Sequence, residues 1–235
     1  MYHLDTFRTI WQGLDWSYPL DILIAIIPAL ICITFHETCH GLTAYMLGDP
    51  TAKREGRLSL NPIKHIDWMG FATMVIFHFG WAKPVPVNMM YFKNPKRGMA
   101  LTALAGPASN VLLTAVMLAL YGPLYILMSL GIGGWAIELL TEMVSTTAYL
   151  SMAFAVFNLL PVPPLDGSKI LFSVLSDRNY LKLMIIERYG MILMLILVST
   201  GILRTPLSYV TGFCFDLLFP IAQVTADWTV SLLWR

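Results

Sequence analysis

Seven residues, Phe35-His36-Glu37-Thr38-Cys39-His40-Gly41, place two histidines and a glutamate in the pattern H-E-x-x-H. On a helix His36 and His40 are one turn apart and share a face, so their imidazoles can converge on one metal ion. Glu37 lies beside that face, where it can take and return the proton of a water that the metal activates. The chemistry this predicts is metal-assisted hydrolysis. The surroundings sharpen the expectation, because the motif sits in an apolar run from about Ile22 to Leu47. After Asp21, the only strongly polar members of that run are His36, Glu37 and His40. Charged groups at bilayer depth cost about 2.5–3.5 kcal/mol each on insertion scales, so a chain carries them there for a function.

The elements that must position this motif are membrane spans. The chain has 235 residues, of which 57% are hydrophobic and 12% charged. Soluble domains carry about 25% charged residues, so this composition belongs to an integral membrane protein. A net charge of +1 argues against nucleic acid as a partner. The hydropathy pattern predicts an all-α polytopic fold with about five transmembrane helices, near 19–47, 99–121, 135–160, 189–203 and 206–226, the last weakened by Asp216 and Pro220. Residues 1–18, with Trp11, Trp16 and Tyr18, read as an interfacial segment without a cleavable signal. The whole is expected to be one membrane-embedded domain, with a core at 19–170 and C-terminal helices at 171–235.

Charge bias orients the spans. The loops at 48–68, 88–98 and 161–188 hold four, three and four Lys or Arg, and the 122–134 loop holds none. Basic loops stay on the cytoplasmic side of the cell membrane, which makes the N-terminus external. Residues 69–87 then have basic flanks on both sides and too few residues to cross twice. They are expected to dip in and return as a re-entrant hairpin, whose Val75, Ile76, Val85 and Val87 suit extended strands.

A catalytic zinc takes three protein ligands and leaves one position for water. Of the other histidines, His3 and His65 fall in segments where solvated or hydrogen-bonded roles fit. His78 lies in the hairpin without a ligand-like spacing. Asp166, in Asn158-Leu-Leu-Pro-Val-Pro-Pro-Leu-Asp-Gly, is better placed, although a helix-capping aspartate would look the same. Counting from Pro19, His36 and His40 lie roughly 26–32 Å along their helix, toward the cytoplasmic face. The third span delivers Asp166 to that face too. Cys32, Cys39 and Cys214 make no C-x-x-C pair and read as packing residues, with Cys39 beside the site.

With these residues in place, the chain resembles the site-2 protease family of intramembrane zinc metalloproteases. Supporting stretches are Gly56-Arg-Leu-Ser-Leu-Asn-Pro62, Trp81-Ala-Lys-Pro-Val-Pro-Val-Asn88 and Ala105-Gly-Pro-Ala-Ser-Asn110, while Trp68 stands where the family often has proline. The resemblance covers roughly residues 30–170 and implies that His36, His40 and Asp166 hold Zn2+ and that Glu37 is the catalytic acid/base. It also implies supporting roles for Asn110 and Asn158, a membrane-protein substrate with a transmembrane helix, and a minimal member without PDZ or CBS domains. Other readings of the same residues are a zinc transporter, which has no need of Glu37, and a non-catalytic zinc-binding relative. Prenyl-protein-type proteases use a glutamate as third ligand, where this chain has Asp166.

Overall fold

The computed structural model describes residues 17–77, 80–175 and 189–234. The described residues are mostly helical, with no β-sheet. Helix α1 (Ser17–Met46) carries the H-E-x-x-H motif and is followed by a short α2 (Thr51–Arg54), a 3-10 turn at Pro62–His65, and α3 (Trp68–Phe77). A 3-10 turn at Met89–Tyr91 leads to α4 (Pro95–Ser129), α5 (Gly134–Asn158) and the short α6 (Asp166–Ser173). Beyond lie α7 (Gly190–Ser199), α8 (Arg204–Leu218) and α9 (Pro220–Leu233).

Among the described residues, three stretches are long and apolar enough to cross a membrane: Pro95–Ser129, Gly134–Asn158 and Arg204–Leu233. Their packing is that of helices in lipid. The seam between α1, α4 and α5 is small and polar, with Thr114 Oγ1 donating to Ala148 O at 3.1 Å and Ser151 Oγ to Asn110 O at 2.8 Å. Large apolar side chains such as Leu112, Trp135 and Phe213 point outward instead. That inversion follows from the solvent, because lipid gives Leu no reason to hide and gives hydroxyls every reason to pair.

Several boundaries differ from expectation. The loop expected from Gly122 is helix up to Ser129, because Gly122 lets α9 approach α4 so closely that a Cβ there would strike Ala222 and Thr225. The turn that follows uses Gly131 and Gly133 at φ of +70° and +84°. The segment expected to end at Ala226 continues to Leu233, broken only at Phe219–Pro220. The span expected at 189–203 is a ten-residue helix in the structure, and residues 176–188 before it lie outside the described residues. So do Trp11, Trp16, His3 and His78.

The largest correction concerns 69–87. Residues 68–77 are helix, not strand. Asp67 Oδ1 accepts from Met69 N and Gly70 N, both at 2.9 Å, and so caps the first turn. A helix also satisfies its own backbone, whereas two isolated strands in an apolar medium leave their outer edges unpaired. The chain from Gly80 to Asn88 is without helix, and its strand pairing is limited to one bridge. Ile66 and Ala82 form an isolated antiparallel bridge, and Lys83 N donates to His65 O at 2.9 Å. The two ends of the segment therefore lie side by side. Gly70 allows this, because a Cβ on it would collide with the Trp81 backbone.

Candidate metal centre

Helix α1 presents His36 and His40 with ring centroids 4.5 Å apart and planes nearly perpendicular. Asp166 arrives from the other end of the core. The Pro-rich run after Asn158 ends α5, Leu165 is extended, and α6 starts at Asp166 itself. Gly167 packs so closely on the Leu159 and Leu160 carbonyls that a Cβ would not fit, which accounts for the Asp-Gly pair. The Asp166 carboxylate does not cap α6. Its Oδ2 instead lies 3.0 Å from His36 Nε2 and 3.0 Å from His40 Nε2. All three side chains are buried, and their ligand atoms lie within 4.8 Å of one another.

Proton positions test whether this set fits a metal. His40 Nδ1 is 2.7 Å from the Thr102 carbonyl, which can only accept, so the proton of neutral His40 sits on Nδ1. The Nε2 lone pair then faces a carboxylate oxygen, and two acceptors at 3.0 Å need a positive charge between them. A metal ion would supply it, and two imidazoles with one carboxylate are a zinc ligand set. Metal-bound histidines commonly give their second N–H to a carbonyl, and the Thr102 carbonyl offers His40 that partner. At His36, the Asn110 amide nitrogen is placed 3.3 Å from Nδ1, and its oxygen is buried without a partner. Ligation through Nε2 requires the proton on Nδ1, and a half-turn of the amide brings its oxygen round to accept it. Gly106 is as necessary as the ligands, since a Cβ there would strike both imidazoles.

Glu37 sits one residue along from His36 and its Oε2 accepts from Val85 N at 2.9 Å. Its neighbours are fixed by the two polar motifs of the sequence. Arg57 Nη2 donates to Lys83 O at 2.6 Å, and Asn88 N donates to Oδ2 of the fully buried Asp49 at 2.7 Å. Ser59 O accepts from Thr38 Oγ1 at 3.0 Å and from His65 Nε2 at 2.7 Å. His65 is thus hydrogen-bonded, as expected of it, but buried and not solvated. Gly41 leaves room for Val85, whose Cγ1 would lie 3.1 Å from a Cβ at that position. One bond ties the 81–88 segment to α1, from Val85 N to Glu37, and Arg57, His65 and Asp49 hold it from the stretch that follows α1.

A cavity of about 600 Å³ opens over these groups, lined by His36, Glu37, His40, Asn158, Asp166 and Lys169 among mostly apolar neighbours. Asn158 reaches the lining while its Nδ2 bonds its own helix at Phe154 O, 3.0 Å away, and it does not touch the histidines. Cys39 is half-buried, unpaired and outside the cluster. Thr102 and Val85 act through backbone atoms, which no residue pattern announces. Lys169, whose Nζ is 3.4 Å from Asp166 Oδ1, was missed from the sequence, where its i,i+3 spacing from Asp166 was the signal that could have found it.

The model of peptidase family M50 matches residues 24–199, a stretch that includes every residue of this cluster. The chain belongs to peptidase family M50. The relatives agree with it. YwhC of Bacillus subtilis, named as a zinc metalloprotease, is 37% identical over 190 residues, covering 78% of this chain and 84% of its own. Rip2 of Mycolicibacterium smegmatis, named likewise, is 27% identical over 220 residues, covering 88% of this chain and 80% of its own. MJ0611 of Methanocaldococcus jannaschii, again named as a zinc metalloprotease, is 29% identical over 168 residues, covering 66% and 75%. No solved structure matches the chain. This M50 protein is accordingly a zinc metalloprotease, and its apolar helices make it a membrane protein.

Proposed function

We propose that His36, His40 and Asp166 hold the zinc and that Glu37 is the acid/base for hydrolysis of a peptide bond in or near a transmembrane segment of a membrane-tethered protein. One observation carries this reading: two imidazoles and a carboxylate from α1 and α6, separated by as many as 130 residues, meet on one cavity beside Glu37. Zinc, when bound, supplies Lewis acidity for activating water and polarising the scissile carbonyl. The rest falls to the protein. His40 and His36 keep their Nδ1 protons on Thr102 O and Asn110, so both Nε2 atoms stay available. Glu37, steadied by the Val85 N–H, accepts the proton of the attacking water and passes it to the leaving amine. Asn158 and Asn110 support the site from the cavity wall and from behind His36. The apolar lining keeps bulk water low around a peptide that has left its helix.

The substrate must unwind locally, since a transmembrane helix hides its carbonyls in i→i−4 bonds. The extended 81–88 segment offers a strand edge for the unwound stretch to pair with. Pro84 and Pro86 leave the edge away from Glu37 with carbonyl acceptors, so the unwound stretch pairs there by donating its own N–H groups, and strands that need donors from this edge are disfavoured. In this reading α1 crosses the cell membrane with its N-terminus external, the metal site lies toward the cytoplasmic face, and residues 69–87 dip in and return. Residues 1–235 form one domain with about five spans, α1 and the region around α7 joining the three long apolar stretches.

The test compares wild type with Glu37→Gln for bound zinc and for cleavage of a single-span model substrate in liposomes. Glutamine keeps an acceptor for Val85 N–H and loses the basic oxygen. The expected result is full zinc content with cleavage lowered about 10²- to 10⁴-fold. Unchanged cleavage overturns the assignment.

A further inference from the structure

We infer that Lys169 is a positioning residue for the metal: it holds Oδ1 of Asp166 so that only Oδ2 is presented to the histidine pair. The inference rests on His36, His40 and Asp166 being the ligands. Asp166 divides its carboxylate between two tasks. Oδ2 faces both Nε2 atoms at 3.0 Å, and Oδ1 faces Lys169 Nζ at 3.4 Å. Asp166 is itself buried and lends neither oxygen to the N-terminus of α6. Among the described residues, Lys169 is therefore what engages Oδ1.

The consequence is a matter of coordination number. A carboxylate with both oxygens free can take two positions on a metal, and a four-coordinate zinc with three protein ligands has only one left for water. An ammonium on Oδ1 keeps the carboxylate monodentate and the last position open. Lys169 is one turn along α6 from Asp166, so the backbone sets the pair's approach. It is also the one Lys or Arg among the described residues lining the cavity, where Glu37, Asp67 and Asp166 supply carboxyl groups. An ordinary i,i+3 pair on a solvated helix contributes little. This one differs because its acidic member is buried with its second oxygen on two imidazoles.

The experiment uses purified full-length wild type, Lys169→Met, Lys169→Gln and Lys169→Arg in detergent. Zinc affinity is measured by competition with a chromophoric chelator, and the visible spectrum of the Co2+-substituted proteins reports coordination number. Lys169→Met and Lys169→Gln are expected to bind zinc about 10- to 100-fold more weakly, the usual cost of losing a group that orients a metal ligand. Their Co2+ bands should weaken, as five-coordination requires, and Lys169→Arg should restore both affinity and band intensity. Zinc affinity and Co2+ spectra unchanged in Lys169→Met and Lys169→Gln overturn the inference, as does equal loss in all three variants. Asp166→Ala serves as the separate control. If it binds zinc as wild type does, the ligand assignment has failed, whatever Lys169 does.

Discussion

Gly106 and Asn110 decide how much room and which tautomer the proposed metal ligands have. A Cβ at position 106 would sit inside the imidazole pair, between side chains packed too tightly to move aside. Gly106→Ala is expected to lower bound zinc at least about 10-fold while the protein still extracts as a folded monomer or oligomer, measured by metal analysis after gel filtration. Asn110→Ala removes the group on His36 Nδ1 without adding bulk, and a chelator titration should show zinc bound about 10- to 100-fold more weakly. At this scale the sequence pointed to side chains that the fold brings together, and was silent on backbone groups. His36, Glu37, His40 and Asp166 are legible because metal ligation demands those residue types at fixed spacing. Thr102 and Val85 contribute a carbonyl and an amide that every residue owns, so nothing in their identity marks them.

The element that most affects the chemistry is the extended segment from Trp81 to Asn88. Its Val85 amide reaches Glu37, so the segment that would present substrate also steadies the acid/base. Proline already stands at 84 and 86, which confines this backbone to extended conformations. Val85→Pro therefore removes one donor with little other change to the chain path. Cleavage kinetics should show kcat reduced about 10-fold, the equivalent of one hydrogen bond of roughly 1.4 kcal/mol, with zinc content unchanged. Val85→Ala keeps the N–H and should retain most of that rate. β-branched residues and two prolines misdirected the reading of 69–77 toward strand. Propensity is a weak prior there, and a cap from Asp67 with self-satisfied backbone bonds outweighs it. Helix ends were misjudged for a related reason. Gly122 and Pro123 look like a loop until α9 packs against them, a contact from a hundred residues away in the chain.

For the molecule as a whole, the informative quantity is which side each loop faces. The membrane class was legible from 57% hydrophobic residues and is borne out by three long apolar stretches with large side chains turned outward. The proposed orientation rests on charge bias and is open to direct labelling. In a background with Cys32, Cys39 and Cys214 replaced, Ile132→Cys should react with an impermeant maleimide on intact cells. Glu55→Cys and Lys93→Cys should both react only after permeabilisation, which is also what a returning 69–87 segment requires. Opposite labelling of those two positions would mean that the segment crosses the membrane. The central claim, that two histidines and one aspartate hold the zinc, is tested most directly by X-ray absorption at the zinc K edge of the purified protein. Two imidazole nitrogens at about 2.0–2.1 Å, with the remaining positions filled by oxygen, are expected. A sulfur scatterer at about 2.3 Å, which would place Cys39 on the metal, or the signature of a single imidazole, would contradict it.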